Sequence, residues 1–399
     1  MNTLTTDVVI VGAGLAGLAA ASTLTRAGHD VLLLEPGRPG GRAVSDRSGG
    51  ALLNLGPHAL YRRFPGEAVL RELGVSPTGG RPSSDGLIFD DEGLYTLPAT
   101  PGGLLTTDAL RLPQRLALAR AFLALLSPRA PQGTVSDWLA RLAADPRVRS
   151  VLEATVRVAT YAHAPDRFPA SVAHAQVRGA ALAGVRYLDG GWQSLVDGLL
   201  GTLPDGVLQP LRAESVEPGR VRCGDTVVEA AQVLLAVPPG VAGALRPGAG
   251  AELLPLRAAC LDLVLSSWEG ERHLALSLDE AIYVSHHSEV ADLGEGAVVH
   301  AARYLAPGER GSARPSLEAC LDRVQPGWRE RVVTQRWLPA MTVTWAPPVE
   351  GLEARPGIQV EPGIWRCGDW VGPTGFLADA ALASGHAVGL ALADQANAA

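Results

Sequence analysis

The chain has 399 residues, with 34 basic side chains against 41 acidic ones and a formal net charge of −7. All 34 basic residues are arginine, and the absence of lysine excludes Schiff bases, pyridoxal phosphate anchoring and a GxxxxGK[ST] phosphate loop. An acidic balance without a basic stripe argues against a nucleic-acid partner, and 47% hydrophobic residues allow a sizeable core spread over two or three domains. Compositional bias toward Arg, Ala, Gly and Pro accounts for most of the missing lysine.

Residues 8–24 carry no charge, but 1–7 hold no basic residue and the stretch contains three regularly placed glycines, so it does not read as a signal peptide. The run 7–11 (DVVIV) predicts a buried parallel strand. Gly12-Ala13-Gly14-Leu15-Ala16-Gly17 then opens a helix that runs to about residue 26 and closes at Gly28. Gly12 permits the tight turn, Gly14 lets a pyrophosphate approach the backbone, and Gly17 lets helix pack on strand. The helix N-terminus supplies free N–H groups. A second apolar strand, 31–34, ends in Glu35, where a carboxylate can accept from a ribose hydroxyl. A second glycine turn with an arginine, Pro36 to Arg42, suits another approach to the same pyrophosphate.

Further along, 110–127 predicts a helix with apolar residues nearly all round it, interrupted by Arg115 and Arg120. All-round apolarity implies burial, with a membrane-dipping or lipid-entry role as the alternative. Another helix is predicted over 135–160. Tyr161, His163 and Arg167 form a polar cluster that reads as a helix end. A strand is expected over 207–216, a hairpin over 221–229, and a strand over 233–237 before Pro238-Pro239. Runs 258–268, 276–286 and 297–305 are rich in β-formers and predict an antiparallel sheet. Residues 364–369 read as a strand delivering Gly368-Asp369, followed by a small-residue helix from 379 to about 392. The alanine-rich tail after Asp394 reads as loose.

Cys223, Cys260, Cys320 and Cys367 are far apart and read as small hydrophobes in a reducing, cytoplasmic setting. His286 and His287 are neighbours that point to opposite faces of a strand, which argues against a metal site.

The chain resembles the flavin-dependent superfamily of monoamine oxidases, protoporphyrinogen oxidases and phytoene desaturases, nearer the phytoene desaturase side. The resemblance rests on VVIVGAGLAGLAAA (8–21), Glu35 with GGR (40–42), LNLGPHAL (53–60), YLDGGWQSLVDGL (187–199), VLLAVPP (233–239) and WRCGDW with ALASG (365–385). It spans nearly the whole chain and leaves 70–180 and 245–350 generic. It implies an α/β fold: a discontinuous Rossmann-like FAD-binding domain (1–68, 186–245, 354–399) with an α+β substrate domain (69–185, 246–353) built on an antiparallel sheet and helices. Carried across by position, it assigns Gly12, Gly14, Gly17, Gly41 and Arg42 to the pyrophosphate and Glu35 to the adenosine ribose. Gly56 and Pro57 would lie along the flavin with His58, the candidate catalytic residue. Ala213 would meet the adenine, and Gly368 and Asp369 the ribityl or phosphate part. Tyr187, Trp192, Trp345 and Trp370 are the candidates for the substrate cavity wall.

Covalent members tether FAD through a cysteine upstream of the final Gly-Asp, and neither Cys320 nor Cys367 is suitably placed, so the resemblance implies non-covalent FAD. Amine oxidases of this superfamily typically place a lysine near flavin N5. Its absence favours desaturation of a largely apolar isoprenoid, polyene or tetrapyrrole over amine oxidation; a non-redox isomerase or non-turnover flavoprotein is the third reading. No second nucleotide fingerprint appears, so oxygen or a quinone is the expected electron acceptor rather than NADP.

Overall fold

A computed structural model describes residues 2–310 and 312–398. The strand Asn2–Val11 lies between Val31–Leu34 and Thr226–Leu235, parallel to both. Ile364–Arg366 extends this sheet on one side and Leu208–Gln209 on the other, again in parallel. Val8, Val9 and Ile10 are buried, as suits a β-branched run covered on both faces. Three separated stretches of chain thus share one sheet. The carboxyl ends of its parallel strands gather Gly12, Glu35, Ala236 and Cys367, the edge at which open α/β sheets take ligands.

The helix Leu15–Arg26 covers one face, and the helix Ala378–Ala398 crosses it closely. A Cβ on Gly385 would lie 2.1 Å from the Ala16 carbonyl oxygen, so this crossing requires glycine. The tail after Asp394, expected to be loose, continues this helix to Ala398; Ala399 lies outside the described residues.

The expected strand 207–216 is two short ones. Leu208–Gln209 pairs at one sheet edge, and Ser215–Glu217 at the other with Arg220–Cys223. Pro210 has no N–H to donate and stands where the first pairing stops. Residues 210–214, with Ala213, therefore connect the two edges. The 221–229 hairpin forms, but its second strand runs unbroken from Thr226 to Leu235.

The second sheet runs in the order Val332–Trp345, Pro255–Leu265, Ala297–Leu305, Ile282–His286, Leu274–Ser277, Leu87–Phe89, Leu94–Thr96. The runs expected to form an antiparallel sheet do so, and the sheet is antiparallel throughout except where the added strand Leu87–Phe89 lies parallel to Leu274–Ser277. The 276–286 run is a hairpin rather than one strand, its turn held by the Glu280 N–H donating to Ser277 Oγ at 2.9 Å.

The helix expected over 135–160 is also two, Val135–Leu142 and Pro146–Thr160. Asp145 caps the second by accepting from the Val148 N–H at 3.1 Å, and Pro146 occupies the first turn, where its missing N–H costs nothing. These helices, with Leu112–Leu125 and Ala170–Ala183, share an apolar core with one face of the second sheet, while Arg314–Val324 shares a core with the other.

The Leu112–Leu125 helix departs from the burial expected of it. Leu118, Ala121 and Leu125 are buried, but Leu112, Leu116 and Leu123 are 69%, 53% and 72% exposed. No helix among the described residues is long and apolar enough to cross a membrane.

Candidate cofactor and active site

At the carboxyl end of the first strand, Gly12 has φ +103°, and a Cβ there would lie 2.7 Å from the Ala236 carbonyl oxygen. A Cβ on Gly17 would lie 2.0 Å from the Gly12 carbonyl oxygen, so strand, turn and helix close only around glycine. Gly14 differs: a Cβ there would meet nothing within 4 Å. It caps the Leu15–Arg26 helix without a side-chain acceptor, and the first turn holds no acidic residue, the arrangement of an anion-binding helix end. The Gly40 N–H donates to the Ala13 carbonyl at 2.8 Å and Gly40 bridges Gly14, which joins the second glycine turn to the first. Glu35 closes the cradle, accepting from the Ala13 N–H at 3.2 Å and the Gly37 N–H at 3.1 Å. An uncapped helix end, two apposed glycine turns and a carboxylate fit the pyrophosphate and ribose of a dinucleotide.

Arg42 and Asp369 meet beside the second turn. Arg42 donates through Nη2 to Asp369 Oδ1 at 2.7 Å and through Nη1 to Oδ2 at 2.9 Å, and also reaches the Val343 carbonyl at 2.6 Å. Thr344 Oγ1 donates to the same carboxylate at 2.6 Å.

The Gly56-Pro57-His58 turn rests on the second sheet. The Gly56 N–H donates to Asp262 Oδ2 at 3.2 Å, and a Cβ on Gly56 would lie 2.8 Å from Cys260 Sγ. His58 Nδ1 donates to the Gly56 carbonyl at 3.1 Å, and its ring packs 4.9 Å from that of Trp192. Burial pushes the His58 pKa down to about 4, so its imidazole is neutral near pH 7. With Nδ1 carrying the proton, Nε2 keeps its lone pair.

Beneath this turn, fully buried Asp262 accepts from His300 Nδ1 at 2.6 Å and from Arg336 Nη2 and Nε at 2.7 and 3.1 Å. Burial opposes the Asp262 charge, but His300 and Arg336 outweigh it and hold the carboxyl below its ordinary range. Arg336 also reaches Asp46 Oδ2 at 3.0 Å and the Asn54 carbonyl, tying the second sheet to the two-stranded hairpin of Ser45–Ser48 and Ala51–Asn54 that leads into the Gly56 turn. His287 stacks on Tyr187 at 3.7 Å and packs edge-on to His300 at 4.6 Å.

A cavity of about 590 Å³ opens past Ala59 and Tyr61. Its deep end holds Tyr61, Tyr161, Tyr187 and Tyr283, with Tyr187 Oη 3.4 Å from Tyr283 Oη. Burial pushes all four phenols upward, which keeps them protonated; Tyr61 Oη donates to the Ala159 carbonyl. From there an apolar gallery of Leu97, Leu276, Phe122, Leu125 and Val177 runs outward to Leu104, Leu123 and Leu126. Arg81, His273, His286 and Glu289, with the hydroxyls of Ser83, Ser84, Thr100 and Thr155, add polar groups to the wall.

The description "flavin containing amine oxidoreductase" belongs to the family whose pattern matches residues 15–260. The chain belongs to this family. With membership go FAD as cofactor and the oxidoreductase class. A putative flavin-containing monoamine oxidase of Mycobacterium tuberculosis is 45% identical over 76 residues, 18% of this chain and 17% of that protein, so the chain aligns with less than a fifth of that relative's length. Among solved structures, an oxidoreductase from Methanosarcina mazei superposes with a TM-score of 0.76 at 18% identity, covering 96% of this chain and 99% of that one. A putrescine oxidase bound to putrescine gives 0.72 at 19%, covering 98% and 99%. At these identities the likeness is one of fold.

Within the family fold, Gly12, Gly14, Gly17, Glu35 and Gly41 come together in the cradle. Arg42 and Asp369, read separately from sequence, are one ion pair. Of the four aromatic candidates for the cavity wall, Tyr187 lines it. Trp192 packs beside His58, its buried indole N–H without a partner among the described residues. Trp370 is buried against the first sheet and donates to the Val237 carbonyl at 3.2 Å, and Trp345 packs on that same core. These three stand outside the cavity lining.

Tyr161 does end its helix, in the left-handed conformation with φ +54°, yet its ring faces the cavity. Sequence reading missed Tyr61, Tyr283, Asp262, His300 and Arg336. Charged or polar residues inside apolar strand runs, such as Asp262 within 255–265, were the signal available for the buried cluster. His286 faces the cavity and His287 is buried with Tyr187, on opposite sides as expected. No group of three or more His, Cys, Asp or Glu side chains among the described residues could hold a metal ion.

Proposed function

We propose that the protein uses non-covalently bound FAD to dehydrogenate a largely apolar small molecule held in the tyrosine-ended cavity. The observation that carries this reading is the cavity itself: four tyrosines gathered at its buried end and a gallery lined mainly by apolar side chains leading outward. Such a site suits a molecule with an unsaturated or weakly polar head and an aliphatic body, of the isoprenoid or polyene class.

Bound FAD supplies a two-electron acceptor. Gly12, Gly14, Gly17, Gly41 and Glu35 hold its adenosine diphosphate part, and the Arg42–Asp369 pair, Gly368 and the Gly56-Pro57 turn frame the remainder. Ala213, on the segment 210–214 that joins the two sheet edges, would meet the adenine. The apolar gallery excludes water and orients the substrate, and the tyrosine hydroxyls fix its head. His58 Nε2 is a neutral proton acceptor beside the turn. Asp262 positions that turn through the Gly56 N–H and does not itself reach the substrate. Oxygen or a quinone, rather than NADP, takes the electrons onward, in the cytoplasm or at a membrane surface.

Amine oxidation is the second reading, favoured by the names of the relatives. The lysine-free sequence stands against it, since arginine stays charged and relays protons poorly. An anaerobic titration separates the readings. An isoprenoid or polyene donor should bleach the oxidised-flavin absorbance while primary amines leave it unchanged. Bleaching by amines alone would overturn the proposal, and substrate isomerisation without electron consumption would establish the non-redox reading instead. Acid precipitation should release the yellow chromophore into the supernatant.

A further inference from the structure

The Leu112–Leu125 helix has two apolar faces, and the fold covers one. Leu112, Leu116 and Leu123 are four and eleven residues apart, close to whole numbers of turns, so they fall within about 40° of one another and form a stripe about 16 Å long. Leu105 and Leu126, just before and just after the helix in the chain, are exposed apolar side chains as well. Leu123 and Leu126 also line the cavity, so this face borders its mouth.

Its charge runs against that of the chain. Residues 101–130 contain Arg111, Arg115, Arg120 and Arg129 against the single acid Asp108, a local balance of +3 (four minus one) on a protein of net −7. Arg111, Arg120 and Arg129 are exposed, whereas Arg115 is spent on the carbonyls of Leu105, Thr107 and Leu110. A stripe of leucines flanked by arginines is the pattern of a helix lying in a lipid interface, its apolar face among acyl chains and its cations at anionic headgroups. A symmetric contact between two copies would instead set these arginines against one another.

We infer that this face docks the protein on an anionic bilayer, with the mouth of the cavity turned toward the acyl region. Apolar molecules dissolved in the membrane then reach the gallery without crossing water. The docking is independent of which substrate the cavity takes, and its test needs no substrate.

The FAD-loaded protein is co-sedimented with vesicles of phosphatidylcholine, alone or mixed with phosphatidylglycerol. Binding to the mixed vesicles, weakened by salt and absent from phosphatidylcholine alone, is the expected result. Leu112→Asp/Leu116→Asp, which leaves the cavity lining intact, should reduce binding by roughly a hundredfold with an unchanged flavin spectrum and thermal midpoint. Arg120→Gln/Arg129→Gln, which spares the apolar stripe, should lower it by about tenfold. Failure to bind mixed vesicles, or undiminished binding by the properly folded leucine variant, would overturn the inference. So would a concentration-dependent dimer that the leucine variant abolishes, because the face would then be a self-interface.

Discussion

His300 Nδ1 lies 2.6 Å from Asp262 Oδ1, and neither side chain is exposed to solvent. Asp262 comes from Pro255–Leu265 and His300 from Ala297–Leu305, where the two residues are register partners across an antiparallel pair. The other carboxylate oxygen takes Arg336 and the Gly56 N–H, so one buried charge anchors the turn that carries His58. Removing it leaves Arg336 with only Asp46 and the Asn54 carbonyl, and leaves the buried His300 Nδ1–H and Gly56 N–H unpaired. Asp262→Ala should therefore cost about 3–5 kcal/mol in urea unfolding, with Asp262→Asn losing less because its amide oxygen can still accept. A loss below about 1 kcal/mol for the alanine variant would show that the cluster does not hold this turn.

The glycines of the first turn should separate folding from cofactor binding. A Cβ on Gly17 collides with the Gly12 carbonyl, whereas one on Gly14 meets nothing within 4 Å. Gly14 also has φ −76° and ψ 178°, which alanine adopts freely. Gly17→Ala should lower the thermal midpoint and the yield of folded protein. Gly14→Ala should keep the apoprotein's midpoint and weaken FAD binding by about tenfold to a hundredfold, read from flavin fluorescence quenching. Equal loss of stability in both variants would refute the separation.

The first fifty residues were the most legible part of the chain, because strand, glycine turn, helix and acid each leave a local signature. The shared sheet was legible where its strands are apolar runs, as in 364–366. The crossing at 210–214 was not, since Pro210 breaks a run that otherwise alternates as a strand does. The helical domain misled for a physical reason: Leu112–Leu125 is apolar on two faces, and sequence cannot say which face meets a core. The Asp262 cluster draws on three strands, and no local spacing could have joined Asp262, His300 and Arg336. His58 was found by position in a motif, whereas Tyr161 and Tyr283, which line the cavity, lie in the stretches that the motifs leave generic.

Two sets of buried groups should pull stability in opposite directions with pH. Burial lowers His58 and His286 from 6.5 to about 4, so between these values the unfolded chain takes up protons that the folded chain refuses. Their contribution to stability is present above 6.5 and falls away as pH drops toward 4. Asp379 behaves in the opposite sense. Burial, with the nearby Glu67 charge adding to it, raises its carboxyl from 3.8 to about 7, although the Gly66 N–H opposes the shift. Its contribution is present below 3.8 and is lost as pH rises through 7. Asp379→Asn keeps an acceptor for the Gly66 N–H and should stabilise the protein at about pH 8 by about 1–3 kcal/mol, with little effect near pH 4. Thermal midpoints across this range test both signs, and a midpoint for Asp379→Asn at or below that of the parent at alkaline pH would contradict the assignment.

The gallery should act as a ruler for substrate length. Ala180 lines it from the helix Ala170–Ala183, and a larger side chain there would intrude on the passage between the tyrosines and the exposed leucines. Ala180→Phe should slow anaerobic flavin bleaching by a long isoprenoid donor by at least about tenfold, while a short donor that fits the tyrosine end alone retains its rate within about threefold. Tyr283→Phe should do the reverse. It leaves the gallery open but removes a hydroxyl beside Tyr187 Oη, so both donors should slow together if they place the same head group against the tyrosines. A length-independent loss in Ala180→Phe, with its flavin spectrum unchanged, would mean that substrate does not run along the gallery and that the tyrosine end alone forms the binding site.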